Sequence, residues 1–255
     1  MTRNDKGRMF SDTRLLRHYP SQWPDTPDLL VCFPHAGAGV STFAGWPQKL
    51  AHVASVVLVQ LPGREDRLSE PLTQSLHDVS RQIASELARS NARRLFLFGH
   101  SMGARVAWFV ASRLWSDHRV APVVILSAGS PHTSGALTNT SSSALHAWFD
   151  RMGEKFPAAL ENPELLSLFR ITLAADLAWM RAFPFVPAVA LPLDLHCFHG
   201  ACDGLVTREP MTLWRRYTSA AFTMTEMPGG HMYHVSAQAK LLASIQNLIM
   251  GHGHA

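Results

Sequence analysis

Six short apolar runs set the rhythm of the chain, at residues 29–33, 53–61, 95–98, 120–127, 193–198 and 222–227, and each meets a glycine or proline within two residues of its end. Short runs rich in valine, leucine and phenylalanine, closed by turn residues, read as buried β-strands. Between them the period changes. Leu76, Val79, Ile83 and Leu87 recur at helical spacing on an otherwise polar segment. Residues 104–115, 208–217 and 235–250 also read as helices. Strands alternating with helices predict an α/β fold, a mostly parallel central sheet with helices on both faces. Residues 132–190 hold no strand-like run and look amphipathic, so they form a helical lid inserted near the carboxyl edge of the sheet, where open α/β sheets bind ligands. Residues 1–28 show no clean period and carry Pro20, Pro24 and Pro27. They are read as a loose arm leading into one domain over 29–255.

Composition narrows the function classes. Of 255 residues, 47% are hydrophobic, enough for one large core. No uninterrupted apolar stretch approaches the roughly 18 residues of a membrane span. Met1 to Arg8 is polar and lacks the apolar core of a secretory signal, so a cytoplasmic protein without a membrane anchor is expected. The net charge is +4, but the lysines and arginines are scattered, and no basic stripe or module points to nucleic acid. Cys32, Cys197 and Cys202 make an odd count, against a disulfide framework. Cys32 and Cys197 sit inside strand runs as small buried hydrophobes. Cys202 has no neighbouring His or basic cluster to activate it.

Gly99-His100-Ser101-Met102-Gly103 carries the chemistry. The G-x-S-x-G pattern holds a serine on a sharp strand-to-helix turn, and here an apolar strand precedes it and an alanine-rich helix follows. This is the nucleophile elbow of the α/β-hydrolase fold. The alternative is a strand-to-helix turn with an idle serine. A serine hydroxyl needs a base, and the fold orders its triad Ser, acid, His. Asp203, in the turn after the 193–198 strand, is the acid. The turn after the preceding strand offers no Asp or Glu. Asp194 opens its strand at the wrong end of the sheet, and Asp176 lies in the lid. An Asx role in its own turn is the bland reading of Asp203. His231 follows the last strand in Pro228-Gly229-Gly230-His231 and is the base. His234 falls at the start of the closing helix, His100 points away from the nucleophile, and His35 either lines the pocket or packs its loop. The oxyanion donors are the N–H of Met102 and, from the loop after the first strand, that of Ala36, with Gly37 adjacent and equally unhindered. The Gly251-His252-Gly253-His254 tail is read as a frayed end rather than a metal site. The lid aromatics Trp148, Phe149, Phe156, Phe169, Trp179, Phe183 and Phe185 are read mainly as its own core.

Four stretches identify a family resemblance: Cys32-Phe33-Pro34-His35-Ala36-Gly37, the run from Gln60 to Arg67 containing Pro62-Gly63-Arg64-Glu65-Asp66-Arg67, Phe98 to Gly103, and Met227-Pro228-Gly229-Gly230-His231. Together, and with Pro163-Glu164-Leu165-Leu166 in the lid, they resemble the type II thioesterases that accompany polyketide synthases and nonribosomal peptide synthetases, over residues 28–250. The resemblance implies hydrolysis of acyl thioesters on the phosphopantetheine of acyl or peptidyl carrier proteins, releasing stalled or misprimed groups. It implies the same triad, a monomer and no cofactor or metal, with Arg64 to Arg67 fixing a loop by ion pairs. Gly204 replaces the family's common proline after the acid, and Ala38 stands where a glycine is common. Competing readings are a general acyl-CoA or ester hydrolase, an acyltransferase, or a carrier-protein-binding module that has lost catalysis.

Overall fold

Strands buried on both faces carry apolar side chains toward both, as residues 29–33, 56–59 and 95–98 do. In the computed structural model, which describes residues 14–19, 28–132, 137, 139–183 and 189–252, seven strands form one sheet. They are β1 (Leu16–Tyr19), β2 (Asp28–Phe33), β3 (Ser55–Val59), β4 (Arg94–His100), β5 (Val123–Ser127), β6 (Leu195–Gly200) and β7 (Phe222–Met227). Their order is β1-β3-β2-β4-β5-β6-β7, all parallel except β1 against β3. The strand alternation sorts side chains into two cores. Leu29, Val31, Phe33, Leu95 and Leu97 face one, while Leu30, Cys32, Phe96 and Phe98 face the other.

Helices cover both faces. α1 (Trp46–Leu50) and, at the far end of the chain, α8 (Gln238–Gly251) cover the second core with Trp46, Leu50, Leu241, Ile245 and Ile249. The first core takes Leu76, Val79, Ile83 and Leu87 of α2 (Leu76–Ala88) and Ala104, Ala107, Ala111 and Leu114 of α3 (Met102–His118). Ser75 caps α2 by accepting from Asp78 N–H. The lid between β5 and β6 holds α4 (Ser142–Arg151) and α5 (Pro163–Ala182). Asn162 caps α5 through the Glu164 and Leu165 N–H groups, with Pro163 in its first turn. α5 turns Thr172, Leu173, Asp176, Trp179 and Met180 inward, and Trp179 donates from Nε1 to Gln74 O at 2.8 Å, docking the lid on the body.

Three elements depart from the sequence reading. Residues 16–19 of the expected loose arm pair with the outer edge of β3; residues 1–13 and 20–27 lie outside the described residues. The helix expected over 208–217 is α only across α6 (Arg208–Thr212) and then tightens to a 3₁₀ helix through Tyr217. Its buried residues Met211, Trp214 and Tyr217 recur every three positions, the 3₁₀ period. The closing helix is broken at Ala237 (φ −118°) into α7 (Tyr233–Ser236) and α8. The break lets Tyr233 and His234 turn fully inward beside the sheet edge.

Candidate active site

In the sheet, β2 leads on to β3 on one side and then the chain crosses to β4 on the other, so the switch point lies between β2 and β4. The loop after β2 and the turn after β4 meet there. Ser101 sits on that turn with φ 55°, a conformation that costs an L-residue energy. Small neighbours permit it: a Cβ on Gly99 would collide with the Gly103 carbonyl, and one on Gly103 with the Phe33 and Pro34 carbonyls. The Ser101 N–H donates to Ser127 O at 2.8 Å, fixing the turn to β5.

Asp203 and His231 arrive from the ends of β6 and β7. His231 Nε2 lies 3.0 Å from Ser101 Oγ, and His231 Nδ1 lies 2.7 Å from Asp203 Oδ2. A carboxylate accepts, so Nδ1 carries the proton and Nε2 faces the serine hydroxyl with its lone pair. Asp203 is buried, and its Oδ1 accepts from the Leu205 and Val206 N–H groups at 2.8 and 2.9 Å. One carboxylate thus closes its own turn and lies within hydrogen-bond reach of the His231 ring. His231 is held by its backbone, whose N–H donates to Met152 O at 2.6 Å at the end of α4. The next N–H, of Met232, donates to Glu154 Oε1.

A cleft of roughly 110 Å³ opens beside Ser101. Ala36 and Met102 line it near the serine, and Leu137, Trp148, Leu177, Met180, Leu205 and Val206 supply apolar walls, most of them from the lid and the Asp203 turn. The Met102 and Ala36 N–H groups find no acceptor among the described residues, whereas that of Gly37 donates to Asp176 Oδ2 at 2.8 Å. A nucleophile paired to a base, an oriented base and two unspent N–H groups on one cleft can carry out acyl transfer through a tetrahedral intermediate.

A thioesterase domain model matches residues 29–249. The chain belongs to the thioesterase family. Its fold is the α/β-hydrolase fold. It is 31% identical over 86% of its length to phenyloxazoline synthase MbtB of Mycobacterium tuberculosis, of which it spans 16%. Among solved structures it resembles the RedJ thioesterase from the prodiginine biosynthetic pathway of Streptomyces coelicolor, at TM-score 0.78 and 30% identity, covering 89% of this chain and 88% of that one. It also resembles BorB, a type II thioesterase from the borrelidin biosynthetic cluster, at TM-score 0.80 and 25% identity, covering 96% and 100%.

The remaining sequence candidates of this thioesterase-family chain fall into place around the cleft. His100 does point away from Ser101: its Nδ1 is 2.9 Å from Ser127 Oγ, which is 2.6 Å from the Tyr233 hydroxyl. His234 is fully buried and lies against the His100 ring at 3.9 Å between centroids. His35 lies 5.4 Å from the His234 ring, and Thr42 Oγ1 sits between their Nε2 atoms at 3.4 and 3.1 Å. Desolvation pushes His35 down to about 4 and His100 and His234 well below the ordinary imidazole range, so all three are neutral at pH 7. Asp194 opens β6 at the amino end and accepts from Ala221 N–H, far from the triad in the fold. Every charged residue from Arg64 to Arg67 is engaged: Arg64 with Asp176, Glu65 with the Val40 and Ser41 N–H groups, Asp66 with Gln60 and Arg17, Arg67 with Glu70. Cys32 and Cys197 are buried and Cys202 is exposed. His252, expected to fray, caps α8 by bonding Leu248 O and faces Asp194; Gly253 to Ala255 lie outside the described residues, as does Phe185. Trp148 lines the cleft, while Phe149 packs against Phe156 and Phe169 within the lid.

Two anchors of the site carry no motif. The Met152 carbonyl that holds His231 is a backbone group, which leaves no trace in side-chain pattern. Asp176 left one: an acidic residue amid Ala174, Ala175, Leu177 and Ala178 on an otherwise apolar helix turn.

Proposed function

We propose that this chain hydrolyses acyl thioesters carried on the phosphopantetheine arm of acyl or peptidyl carrier protein domains, freeing stalled or misprimed groups from polyketide or nonribosomal peptide synthases. One observation carries the reading: the unbroken line from Asp203 through His231 to Ser101 opens on an apolar cleft walled by a lid, in a chain of the thioesterase family. The similarity to RedJ and BorB, both from biosynthetic pathways, supports the synthase-linked role.

Ser101 Oγ attacks the thioester carbonyl as His231 Nε2 takes its proton, and the oxyanion is held by the Met102 and Ala36 N–H groups. Collapse breaks the C–S bond, and the imidazolium returns the proton to the departing pantetheine thiolate. Water, deprotonated by His231, then cleaves the Ser101 ester and the acid leaves. Asp203 keeps His231 in the tautomer this sequence needs. The chain's own residues suffice, the phosphopantetheine entering with the substrate. The protein would act as a monomer in the cytoplasm, where the synthases work. No helix among the described residues is long and apolar enough to cross a membrane.

The test loads a carrier protein with acetyl, hexanoyl or decanoyl groups and compares release with that from the matching acyl-CoAs, with Ser101→Ala as control. Faster release from the carrier protein, abolished in a folded Ser101→Ala, is expected. Turnover surviving in that variant, or equal rates on both donors, would overturn the assignment.

A further inference from the structure

The Ala36–Gly37 peptide unit is gripped at both ends. Its carbonyl accepts from His35 Nδ1 at 3.0 Å, since a carbonyl only accepts and the ring nitrogen must donate. Its N–H donates to Asp176 Oδ2 at 2.8 Å. Asp176 belongs to the lid helix α5 and is fully buried, as is nearly all of Arg64, which pairs with it in a two-toothed fork: Nη1 to Oδ2 at 2.8 Å and Nη2 to Oδ1 at 2.6 Å. The same guanidinium donates to Ala38 O and Pro62 O, both at 3.1 Å. Two turns earlier on α5, Phe169 lies against Gly37, where φ is +80° and a Cβ would meet the ring at 2.8 Å. Helix α5 thus touches the loop once through an apolar ring and once through a charge.

We propose that Asp176 and Arg64 are positioning residues for acyl transfer: together they set the Ala36–Gly37 peptide plane and thereby aim the neighbouring Ala36 N–H at the developing oxyanion. The inference rests on Ala36 being an oxyanion donor. A peptide plane clamped at its carbonyl and its N–H cannot rotate without breaking a buried charge-assisted bond. The Ala36 N–H sits on the adjoining plane, hinged to the clamped one at the Ala36 Cα, so clamping the second plane restricts the directions open to the first. The carboxylate also takes Gly37 N–H out of competition, which separates the two donors the sequence left equivalent. Because Leu177 and Met180 of α5 line the cleft, one helix both walls the acyl site and completes its electrostatics. A lid that moves away would take the oxyanion geometry with it.

Removing one charge would strand the other in the core, so the test removes both. Arg64→Met with Asp176→Leu keeps volume and deletes the acceptor of Gly37 N–H. Arg64→Gln with Asp176→Asn keeps a neutral acceptor there. Each is assayed on an acyl-carrier protein and on p-nitrophenyl butyrate, an ester that needs no carrier protein, with melting temperature and inhibition by an alkyl trifluoromethyl ketone, whose adduct places an oxyanion at the same site. For the Met/Leu pair we expect kcat to fall about 10- to 100-fold on both substrates, less than the loss of a whole oxyanion donor, with KM within about threefold. Ketone affinity should fall in parallel, and the Gln/Asn pair should recover most of the rate. An unchanged kcat with a lowered melting temperature would reduce the pair to a structural tie and overturn the inference. A loss confined to the carrier-protein substrate would also overturn it, leaving the thioesterase reading intact. Wild-type protein that cleaves the ester but no thioester would sink the thioesterase reading instead, and the inference would still be judged on the ester.

Discussion

Both oxygens of the Asp203 carboxylate are committed, one to its own turn and one to His231. Asp203→Asn would keep the turn through its Oδ1 but present an amide N–H to His231 Nδ1, moving the imidazole proton to Nε2, where it cannot accept from Ser101. We expect kcat to fall about 10⁴-fold, as expected when a triad base is held in the wrong tautomer. The melting temperature should barely move, whereas Asp203→Ala should lower both; steady-state kinetics beside thermal melts distinguishes the two variants. The meeting of Ser101, His231 and Asp203 was legible because each falls at the carboxyl end of a strand, where position in the chain constrains position in space. The oxyanion loop was less legible. Ala36 and Gly37 are equivalent until Asp176, 139 residues away, claims one of them. Asp176 could be weighed in the sequence only as a rival acid, since its partner Arg64 is distant along the chain.

The turn from β4 into α3 depends on close backbone approach. In Gly103→Ala the added methyl would overlap the Phe33 and Pro34 carbonyls, forcing the start of α3 away from β2 and displacing Met102 N–H. Overpacking of this kind costs about 1–3 kcal/mol, so a clear drop in melting temperature with a loss of turnover is expected; a variant with wild-type kinetics would refute the close-packing account. Helix α5 offers a gentler probe. Met180→Trp would fill space in the cleft that Ser101 also lines and should lower kcat/KM for decanoyl substrates about tenfold while sparing acetyl, measured across a chain-length series. Long, strongly patterned elements such as α2 and the buried strands were legible from period alone. β1 was not: Leu16-Arg17-His18-Tyr19 has too few residues to show alternation and gains its pairing only from β3. α1 is five residues with a proline near its start, too short for a helical period to appear.

Buried His100, His196 and His234, with half-buried His35, shape how the molecule as a whole meets acid. Desolvation first of all lowers His35 and His196 to about 4, and holds His100 and His234 well below the ordinary imidazole range. Their folded values lie below the unfolded value of about 6.5, so between pH 6.5 and 4 the unfolded chain binds protons that the folded chain refuses. Stability is full above about 6.5 and falls as pH drops through that window, each histidine contributing about 1.4 kcal/mol per pH unit where only the unfolded form is protonated. Urea unfolding at pH 7, 6 and 5 should show the midpoint receding, with protons taken up on unfolding near pH 5. A midpoint indifferent to pH over this range would show that these imidazoles are not held neutral.

The lid is stitched to both halves of the chemistry, through Met152 and Glu154 to the His231 loop and through Asp176 to the loop after β2. Gly153 fits against Cys202 O and the Gly230 Cα, where a Cβ would crowd both. Such an insertion is not a detachable cassette. Grafting a relative's lid to change the acyl groups accepted would have to keep the knots at 152–154 and at Asp176 and exchange only the helix surfaces between them. Chimaeras cut at the strand ends would inherit a new pocket and lose the alignment that makes a pocket useful.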